Sequence, residues 1–486
     1  MHYPVTQRAF GPAILVLSGL QLMVVLDGTV VILALPKLQE ELGLSSSGNA
    51  WMITAYGLPL AGFMLLGGRL GDRFGRKRMF ILGVALFTLA SLLCGLAQNE
   101  WMIIAARAIQ GTGAALAAPT AFALVASTFA PGRVRNHAFA IFGSMMAVGS
   151  VGGLVVGGAL TELSWRFIFL INVPIGALIM LGAAYQLRDT SHRRLSIDVR
   201  GAFLGTLACS AIVFGATEGP GFGWNDPLIV GSLVAGVVGL FVFVFAERRV
   251  ENPLLPWSLF DDRDRVTTFA AILLASGLFA ATTYFAGLFV QNVVGYSPLV
   301  AGVAFIPFTI GAGIGTAISA KLALMVAPRW LLSVASVILF MGLFFGSTLD
   351  GGVRYWPTLL VLFTVIGLGI GMVIVLVPLC VLVGVPPDNI GPLAAVGQTF
   401  LNLGTPIAIG LLTPVAASRT LALGGRTGTP SEMTQTELDA LGSGYTLVLF
   451  VTAIGALLVG LLALTLRYSP DQVARAQHAQ EEAQQS

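Results

Sequence analysis

Charged residues are scarce in this chain. Asp, Glu, Lys and Arg make up 10% of the 486 residues, and 56% are hydrophobic. An ordinary soluble domain is about a quarter charged, so this composition excludes a soluble globular protein and indicates a polytopic membrane protein. The net charge of +3 comes from basic residues scattered through short connections, so nucleic-acid binding is not expected.

Cysteine, histidine and lysine are also few, and each shortage excludes a class of protein. Cys94, Cys209 and Cys380 lie in separate apolar runs, where they are expected to pack as small hydrophobes. The four histidines fall outside those runs, and no HExxH or GxSxG motif occurs. None of the lysines directly follows a glycine, as a P-loop requires. We therefore expect no enzyme, no metal site, no cofactor and no ATP motor.

What the chain has in abundance is apolar runs of about twenty residues, the length that crosses a bilayer as a helix. Fourteen can be counted. They fall near residues 12–35, 50–70, 79–97, 101–126, 138–160, 167–187, 201–218, 227–246, 267–291, 298–319, 330–348, 357–383, 391–415 and 444–466. The first is too long for the apolar region of a signal peptide, so we expect it to remain as a spanning helix.

A short charged island, residues 68–78 (GRLGDRFGRKR), joins the second and third runs. Short basic connections stay on the cytoplasmic side of a membrane. With the island in the cytoplasm, most of the 26 Lys and Arg residues fall on the same side. An even number of spans then places both termini in the cytoplasm. We expect a multi-pass protein of the cytoplasmic membrane, with the lipid bilayer as its surroundings.

The longest cytoplasmic connections flank the seventh and eighth runs. This predicts an N-terminal six-helix bundle over residues 1–187, two inserted helices with their linkers over 188–266, a C-terminal six-helix bundle over 267–466 and a cytoplasmic tail over 467–486. A faint internal repeat agrees, because Pro59–Arg73 can be laid over Pro307–Lys321. Transporters built from two halves often contain such repeats. Ala320 stands where Asp72 stands in the first copy.

Two charged residues lie well inside apolar runs, away from their ends. Asp27 lies in the first run, in LDGTVVILALP, and Arg107 in the fourth, in RAIQGTGAA. A charge within a span costs about 2.5 to 3.5 kcal/mol on insertion scales and suggests a functional site. Burial favours the neutral form of a carboxyl group, which suits a proton carrier, so Asp27 is the leading candidate and Arg107 a candidate partner. Structural roles stay open for both: a carboxylate paired once or hydrated near the surface, and an arginine bonded to backbone carbonyls.

The island resembles a known signature. It matches G-x-L-G-D-R-x-G-R-K of the major facilitator superfamily, and with the other motifs the whole chain resembles the fourteen-helix drug:proton antiporter branch. The resemblance implies an all-α membrane fold of two six-helix bundles plus two additional central helices. It also implies that Asp27 and Arg107 couple proton transfer, although Ile32 replaces the usual Asn of the first-helix motif. By the same resemblance the island gates the cytoplasmic side. Its gating residues would be Gly68, Asp72, Arg73, Gly75, Arg76 and Lys77. The plainer alternative is a basic anchor without conformational duty.

Glycines recur at four-residue spacing in the fifth run, which predicts close packing of a neighbouring helix. The strip comprises Gly149, Gly153, Gly157 and Gly158. It resembles the antiporter signature G-x-x-x-G-P-x-x-G-G, except that Leu154 replaces the proline, and ordinary helix packing explains it equally well. The sixth run opens with Trp165–Gly176, which resembles a sequence typical of the fourteen-helix branch and serves only to classify the chain.

Several polar residues within the runs are candidates for substrate contact. They are Gln110, Glu218, Tyr284, Gln291, Asn292, Gln398 and Asn402. Polar side chains also join membrane helices to one another by hydrogen bonds, so each has an equally plain structural explanation. That explanation is favoured for Glu218, at the end of the seventh run.

The expected function is proton-coupled export of amphipathic organic compounds, such as drugs or antibiotics, by an antiporter. Its partners would be the small substrate and protons, without an obligate protein partner. One alternative is a dedicated exporter of a single endogenous metabolite or antibiotic. Another is a membrane sensor that transports nothing, but no connection is long enough to hold a signalling domain. The substrate, the proton stoichiometry and the oligomeric state stay open.

Overall fold

The computed structural model describes residues 11–129, 133–188, 199–250, 261–323, 325–381, 383, 390–470 and 472. Within these residues, fourteen helices are long and apolar enough to cross a membrane, as the sequence predicts. Most of the two linkers around the inserted helices and the tail from residue 473 lie outside the described residues.

The first six spans contain seven helices. They are α1 (Pro12–Leu42), α2 (Ser46–Phe74), α3 (Arg76–Gly95), α4 (Glu100–Thr128), α5 (Arg133–Leu163), α6 (Arg166–Leu170) and α7 (Asn172–Gln186). The short α6 and α7 together form the sixth span. Their break at Ile171 has a local cause, because Pro174 lacks the N–H that would bond to the Leu170 carbonyl. The two inserted spans are α8 (Val199–Phe222) and α9 (Pro227–Glu247).

The last six spans follow the same plan. They are built from α10 (Arg263–Asn292), α11 (Pro298–Ala304) with α12 (Ile306–Leu322), α13 (Pro328–Gly346), a π-helical turn (Tyr355–Leu359) leading into α14 (Leu360–Val381), α15 (Ile390–Ala422) and α16 (Gln435–Leu464). A 3₁₀ turn, Pro430–Glu432, lies between α15 and α16. The break between α11 and α12 precedes Pro307, which cannot donate to the Val303 carbonyl.

Several predicted helix ends are wrong by a turn or more. The first run was expected to end before Pro36, yet α1 continues through it to Leu42. Neighbouring helices can compensate for the lost hydrogen bond in a membrane bundle. The last helix starts well before residue 444, at Gln435, because Thr434 and Glu437 form a capping box there. Capping, which composition alone does not reveal, sets this boundary.

The internal repeat predicted from the sequence has a structural counterpart. In the N-terminal half α2 packs along α4, and in the C-terminal half α12 packs along α14. Glycines permit both approaches: Gly67 faces the Ala115 carbonyl of α4, and Gly315 faces the Leu368 carbonyl of α14. Because a side chain at either glycine would meet backbone, each pair of helices packs at close range.

The inserted pair lies against the seam between the two halves. On one side α8 packs against α2, where Trp51 and Phe214 place their ring centroids 6.2 Å apart. On the other side it packs against α15, where the Thr217 hydroxyl donates to the Gly410 carbonyl at 3.3 Å. Only 11% of the apolar window of α9 is buried, so this helix presents most of its surface to the membrane.

The two halves of the bundle are joined at one of its ends. We call the end that carries residues 68–78 the island face, and the other end the opposite face. At the opposite face the halves are joined by Gln39 Nε2, which donates to the Gly428 carbonyl at 2.9 Å, and by the Leu299 N–H, which donates to Glu162 Oε1 at 3.3 Å. Beside the second contact, Gly158 lies against the backbone of Leu299. The structure is therefore closed at the opposite face.

Nearer the island face, α15 also makes a contact across the seam. On α15, which packs against α2 across the seam, Asn402 Nδ2 lies 3.5 Å from Met64 Sδ. One turn closer to the island face, the side chain of Gln398 is exposed.

Candidate functional site

The two ionisable residues within the spans form a buried ion pair. Arg107 Nη1 of α4 lies 2.5 Å from Asp27 Oδ2 of α1. The Asp27 side chain is 0% exposed and that of Arg107 1%. Each charge is therefore buried away from water and lipid, and each is paired with the opposite charge. This arrangement makes charged residues tolerable within a membrane.

Three polar side chains complete the surroundings of Asp27. Gln110 Nε2 and Asn172 Nδ2 donate to Asp27 Oδ1 at 2.8 Å and 3.0 Å. The same two amide nitrogens reach Ser91 Oγ at 2.6 Å and 3.1 Å. Counting Arg107, the carboxylate accepts hydrogen bonds from three donors. The site joins four helices: α1, α3, α4 and α7.

The guanidinium of Arg107 is held on its other sides as well. Its Nε donates to the Met52 carbonyl of α2 at 2.9 Å, and Nη1 also donates to Gln110 Oε1 at 2.7 Å. The Tyr56 ring lies 4.3 Å from Arg107 Cζ, within range for a cation–π interaction. Because an arginine stays charged, it provides a fixed positive field beside a carboxyl group that can gain or lose a proton.

The residues that form this site agree in part with those predicted from the sequence. The sequence named Asp27 and Arg107 as candidate partners, and the structure brings them together. It grouped Gln110 with substrate contacts, whereas the structure commits this fully buried side chain to Asp27 and Arg107. Ser91 and Asn172 were missed. The sequence offers one signal for Asn172, a polar amide within an apolar run. The motif Trp165–Gly176 that contains it was used only to classify the chain.

Within the island, Asp72, Arg76 and Lys77 make contacts inside the N-terminal half. Arg76 Nε and Nη2 lie 2.9 Å and 2.8 Å from Asp72 Oδ1, one turn away across the α2–α3 junction. Lys77 Nζ donates to the Ala184 carbonyl of α7 at 2.8 Å. Gly75 between the two helices has φ of +103°, a conformation that favours glycine. The sharp junction thus accounts for one glycine of the signature, and the gating role of the island stays a prediction.

The island also packs against α4. Arg76 Nη1 reaches the Ala123 carbonyl at 3.4 Å, and a Cβ added to Gly71 would lie 2.6 Å from Thr120. Gly68 has more room, since the only neighbour of such a Cβ is Pro119 at 3.7 Å. Arg73 places its guanidinium 5.3 Å from the Phe74 ring centroid.

The glycine strip of α5 packs as predicted, against two helices. A Cβ added at Gly149 or Gly157 would lie 3.0 Å or 2.5 Å from a side chain of α1, and at Gly153 it would clash with Thr29 of the same helix. Gly158 instead faces α11 of the C-terminal half, where a Cβ would lie 2.8 Å from Leu299 Cα. One strip therefore serves both a permanent contact and the seam.

The remaining substrate candidates do not form one site. Glu218 accepts a hydrogen bond from Trp51 Nε1 at 2.9 Å, so it lies in the α2–α8 interface. Near the opposite face, Asn292 donates to the Tyr445 hydroxyl at 3.2 Å and Gln291 to the Gly287 carbonyl of its own helix.

Tyr284 lines a small cavity of about 30 Å³ near the opposite face. Gln398 and Asn402 lie apart from it on α15, where Gln398 is exposed and Asn402 is partly buried.

Comparison with known proteins places this architecture. Residues 17–409 match the family model of the Major Facilitator Superfamily. The chain belongs to that superfamily. It is 47% identical over 99% of its length to the uncharacterized MFS-type transporter EfpA of Mycobacterium tuberculosis, covering 91% of that protein. It is 38% identical to the puromycin resistance protein pur8 of Streptomyces alboniger, over 92% of this chain and 89% of the relative.

A solved structure supports the fold. A bacterial homologue of the human lysosomal transporter Spinster, in an inward-facing and occupied conformation, superimposes with a TM-score of 0.68 at 15% identity. The match covers 94% of this chain and 98% of that one. The protein is thus a multi-pass transporter of the major facilitator type and not an enzyme.

Proposed function

We propose that this transporter is an antiporter that exports amphipathic organic compounds, such as drugs or antibiotics, in exchange for protons. The observation that carries the proposal is the buried pair of Asp27 and Arg107. A charged pair at 0% and 1% exposure is expensive for purely structural use, because apolar side chains fill such space without a desolvation penalty. A titratable carboxyl group beside a permanent cation is what proton exchange requires.

The proposed direction of transport assumes that the island face lies in the cytoplasm, which its basic residues favour. With that orientation, the two contacts that join the halves at the opposite face lie at the outer surface, as expected of an inward-facing state. In the proposed cycle, substrate enters from the cytoplasm near Gln398 and Asn402, while the proton leaves Asp27 on the same side.

The rest of the cycle gives the island its role. Protonation of Asp27 from outside weakens its attraction to Arg107, and the halves rock about the seam until Asp72 and its basic neighbours meet the C-terminal half. In the inward-facing state that latch is open, in keeping with the Asp72–Arg76 pair inside its own half. The energy is adequate, since each 100 mV acting on one charge supplies about 2.3 kcal/mol, roughly fifty-fold in substrate concentration.

The relatives support export of small organic molecules. One carries the name of a puromycin resistance protein, and a transporter confers resistance most directly by moving the drug out of the cell. A panel of ethidium, puromycin and related compounds, tested in competition, separates a broad exporter from a dedicated one.

The decisive experiment measures ethidium uptake into inside-out membrane vesicles under an imposed pH gradient, acid inside. The wild-type protein should accumulate ethidium, and collapse of the gradient should release it. Asp27→Asn should abolish the response to the gradient, whereas Asp350→Asn, at an exposed turn, should leave it intact. Undiminished pH-driven uptake by Asp27→Asn would show that this carboxyl group is not the proton carrier.

A further inference from the structure

The start of α7 meets the carboxyl group of Asp27. Asn172, the first residue of α7, is fully buried and donates to Asp27 Oδ1 on α1 and to Ser91 Oγ on α3. Both amide hydrogens are therefore used, and both point toward the site. Because the helix of the sixth span is interrupted between α6 and α7, this amide lies at the interruption rather than within a continuous helix.

The side-chain carbonyl oxygen of Asn172, unlike the two N–H groups, makes no hydrogen bond. This oxygen, Asn172 Oδ1, is buried. A buried acceptor without a donor is unfavourable by about 1 to 3 kcal/mol, so its presence calls for an explanation. The surroundings supply one: a protonated carboxyl group carries an O–H donor, which a carboxylate lacks.

We propose that Asn172 is the positioning residue that sets the proton affinity of Asp27 and reports its charge to α7. While Asp27 is ionised, the Asn172 amide donates to it and ties the start of α7 to α1. When Asp27 gains a proton, that N–H loses much of its attraction, and rotation of the amide offers Oδ1 to the new O–H. The inference rests on the proposed function in one respect, that Asp27 is the group that takes up the proton.

Other groups around Asp27 do not offer the same switch. The charged and titratable side chains that face it are Arg107 from α4, Tyr56 from α2 and Cys94 from α3. Arginine donates in every state, and Gln110 has both of its amide atoms bonded. On the side of α5, Gly149, Gly153 and Gly157 pack against α1 and bring no ionisable group. Among these described groups, Asn172 alone combines a bond to the carboxylate with an acceptor left unused.

The test follows protonation directly rather than transport. The purified full chain in lipid nanodiscs is titrated with pH, and infrared difference spectroscopy records the C=O stretch of the protonated carboxyl group, which is assigned to Asp27 by its loss in Asp27→Asn. Asn172→Ala removes both the N–H donor to the carboxylate and the carbonyl acceptor offered to the protonated form. Because the bond to the charged carboxylate is the stronger of the two, the midpoint should rise by about one pH unit, a tenfold change in proton affinity. Asn172→Leu keeps the volume of the side chain and should give the same shift. Asn49→Ala removes another buried amide, far from Asp27, and should leave the midpoint unchanged.

Wild-type midpoints in both Asn172 variants would overturn the inference, as would the absence of any band assigned to Asp27. An equal shift in Asn49→Ala would also overturn it, because the effect would then reflect general loosening of the bundle. The proposed function can fail separately. A protein that titrates and shifts as expected, but whose ethidium uptake ignores the pH gradient, would refute proton exchange and leave the role of Asn172 standing.

Discussion

The buried pair should respond unequally to loss of its two members. In Asp27→Asn the guanidinium of Arg107 keeps its charge at any pH and is left with neutral acceptors, the Met52 carbonyl and Gln110 Oε1. In Arg107→Gln the carboxyl group can escape the cost by binding a proton. Breaking a buried pair by removing one partner costs about 3 to 5 kcal/mol, and we expect Asp27→Asn to lose that much at every pH.

The sign of the pH dependence follows from proton counting. In Arg107→Gln the buried carboxyl group lacks its cation, so the folded state binds a proton more readily than the unfolded state. The free energy of unfolding of this variant should therefore rise as the pH falls. Near neutral pH its loss should approach that of Asp27→Asn, and in acid it should shrink well below it. The double variant Asp27→Asn/Arg107→Gln should lose less than the sum of the two single variants, because it leaves no charge unpaired.

The assay is reversible unfolding in mixed micelles, followed by tryptophan fluorescence at several pH values. Equal losses in the two single variants, without pH dependence in Arg107→Gln, would refute the reasoning. A double variant that loses the full sum would refute it too, since the two side chains would then act independently.

Two further predictions concern packing and gating. Asp72→Ala breaks a half-exposed pair with Arg76 that is worth at most about 1 kcal/mol, so membrane insertion and stability should hold while ethidium transport falls severalfold; unaltered transport would reduce the island to an anchor. Gly157→Ala places a Cβ 2.5 Å from α1 and should destabilise the protein by about 1 to 3 kcal/mol in chemical unfolding, whereas Gly152→Ala on the same helix meets nothing within 4 Å and should be tolerated; equal effects would contradict the assigned packing.

Local properties of the chain sufficed to predict the spans. The length of an apolar run sets whether it can cross a membrane, so all fourteen helices could be counted without a structure. Their ends were less predictable, since the continuation of α1 through Pro36 depends on its neighbours and the start of α16 on the Thr434 cap. Asp27 and Arg107 could be singled out for the same local reason, because a charge in an apolar run is costly wherever it lies.

Which side chains meet across helices was decided by the tertiary structure. Ser91 and Asn172 are separated from Asp27 by whole helices, and no local pattern states which helix faces they occupy. The same holds for Gly158, which resembles its neighbours in the strip but packs across the seam. The sequence by itself determined that this chain has fourteen spans, with the acid Asp27 and the base Arg107 well inside two of them. Only the packing of those spans decided that the two residues meet, that a third helix joins them through Asn172, and that the seam is closed at one face. The physical reason is that hydrophobicity acts along the chain, whereas a hydrogen-bond network forms between side chains that folding brings together.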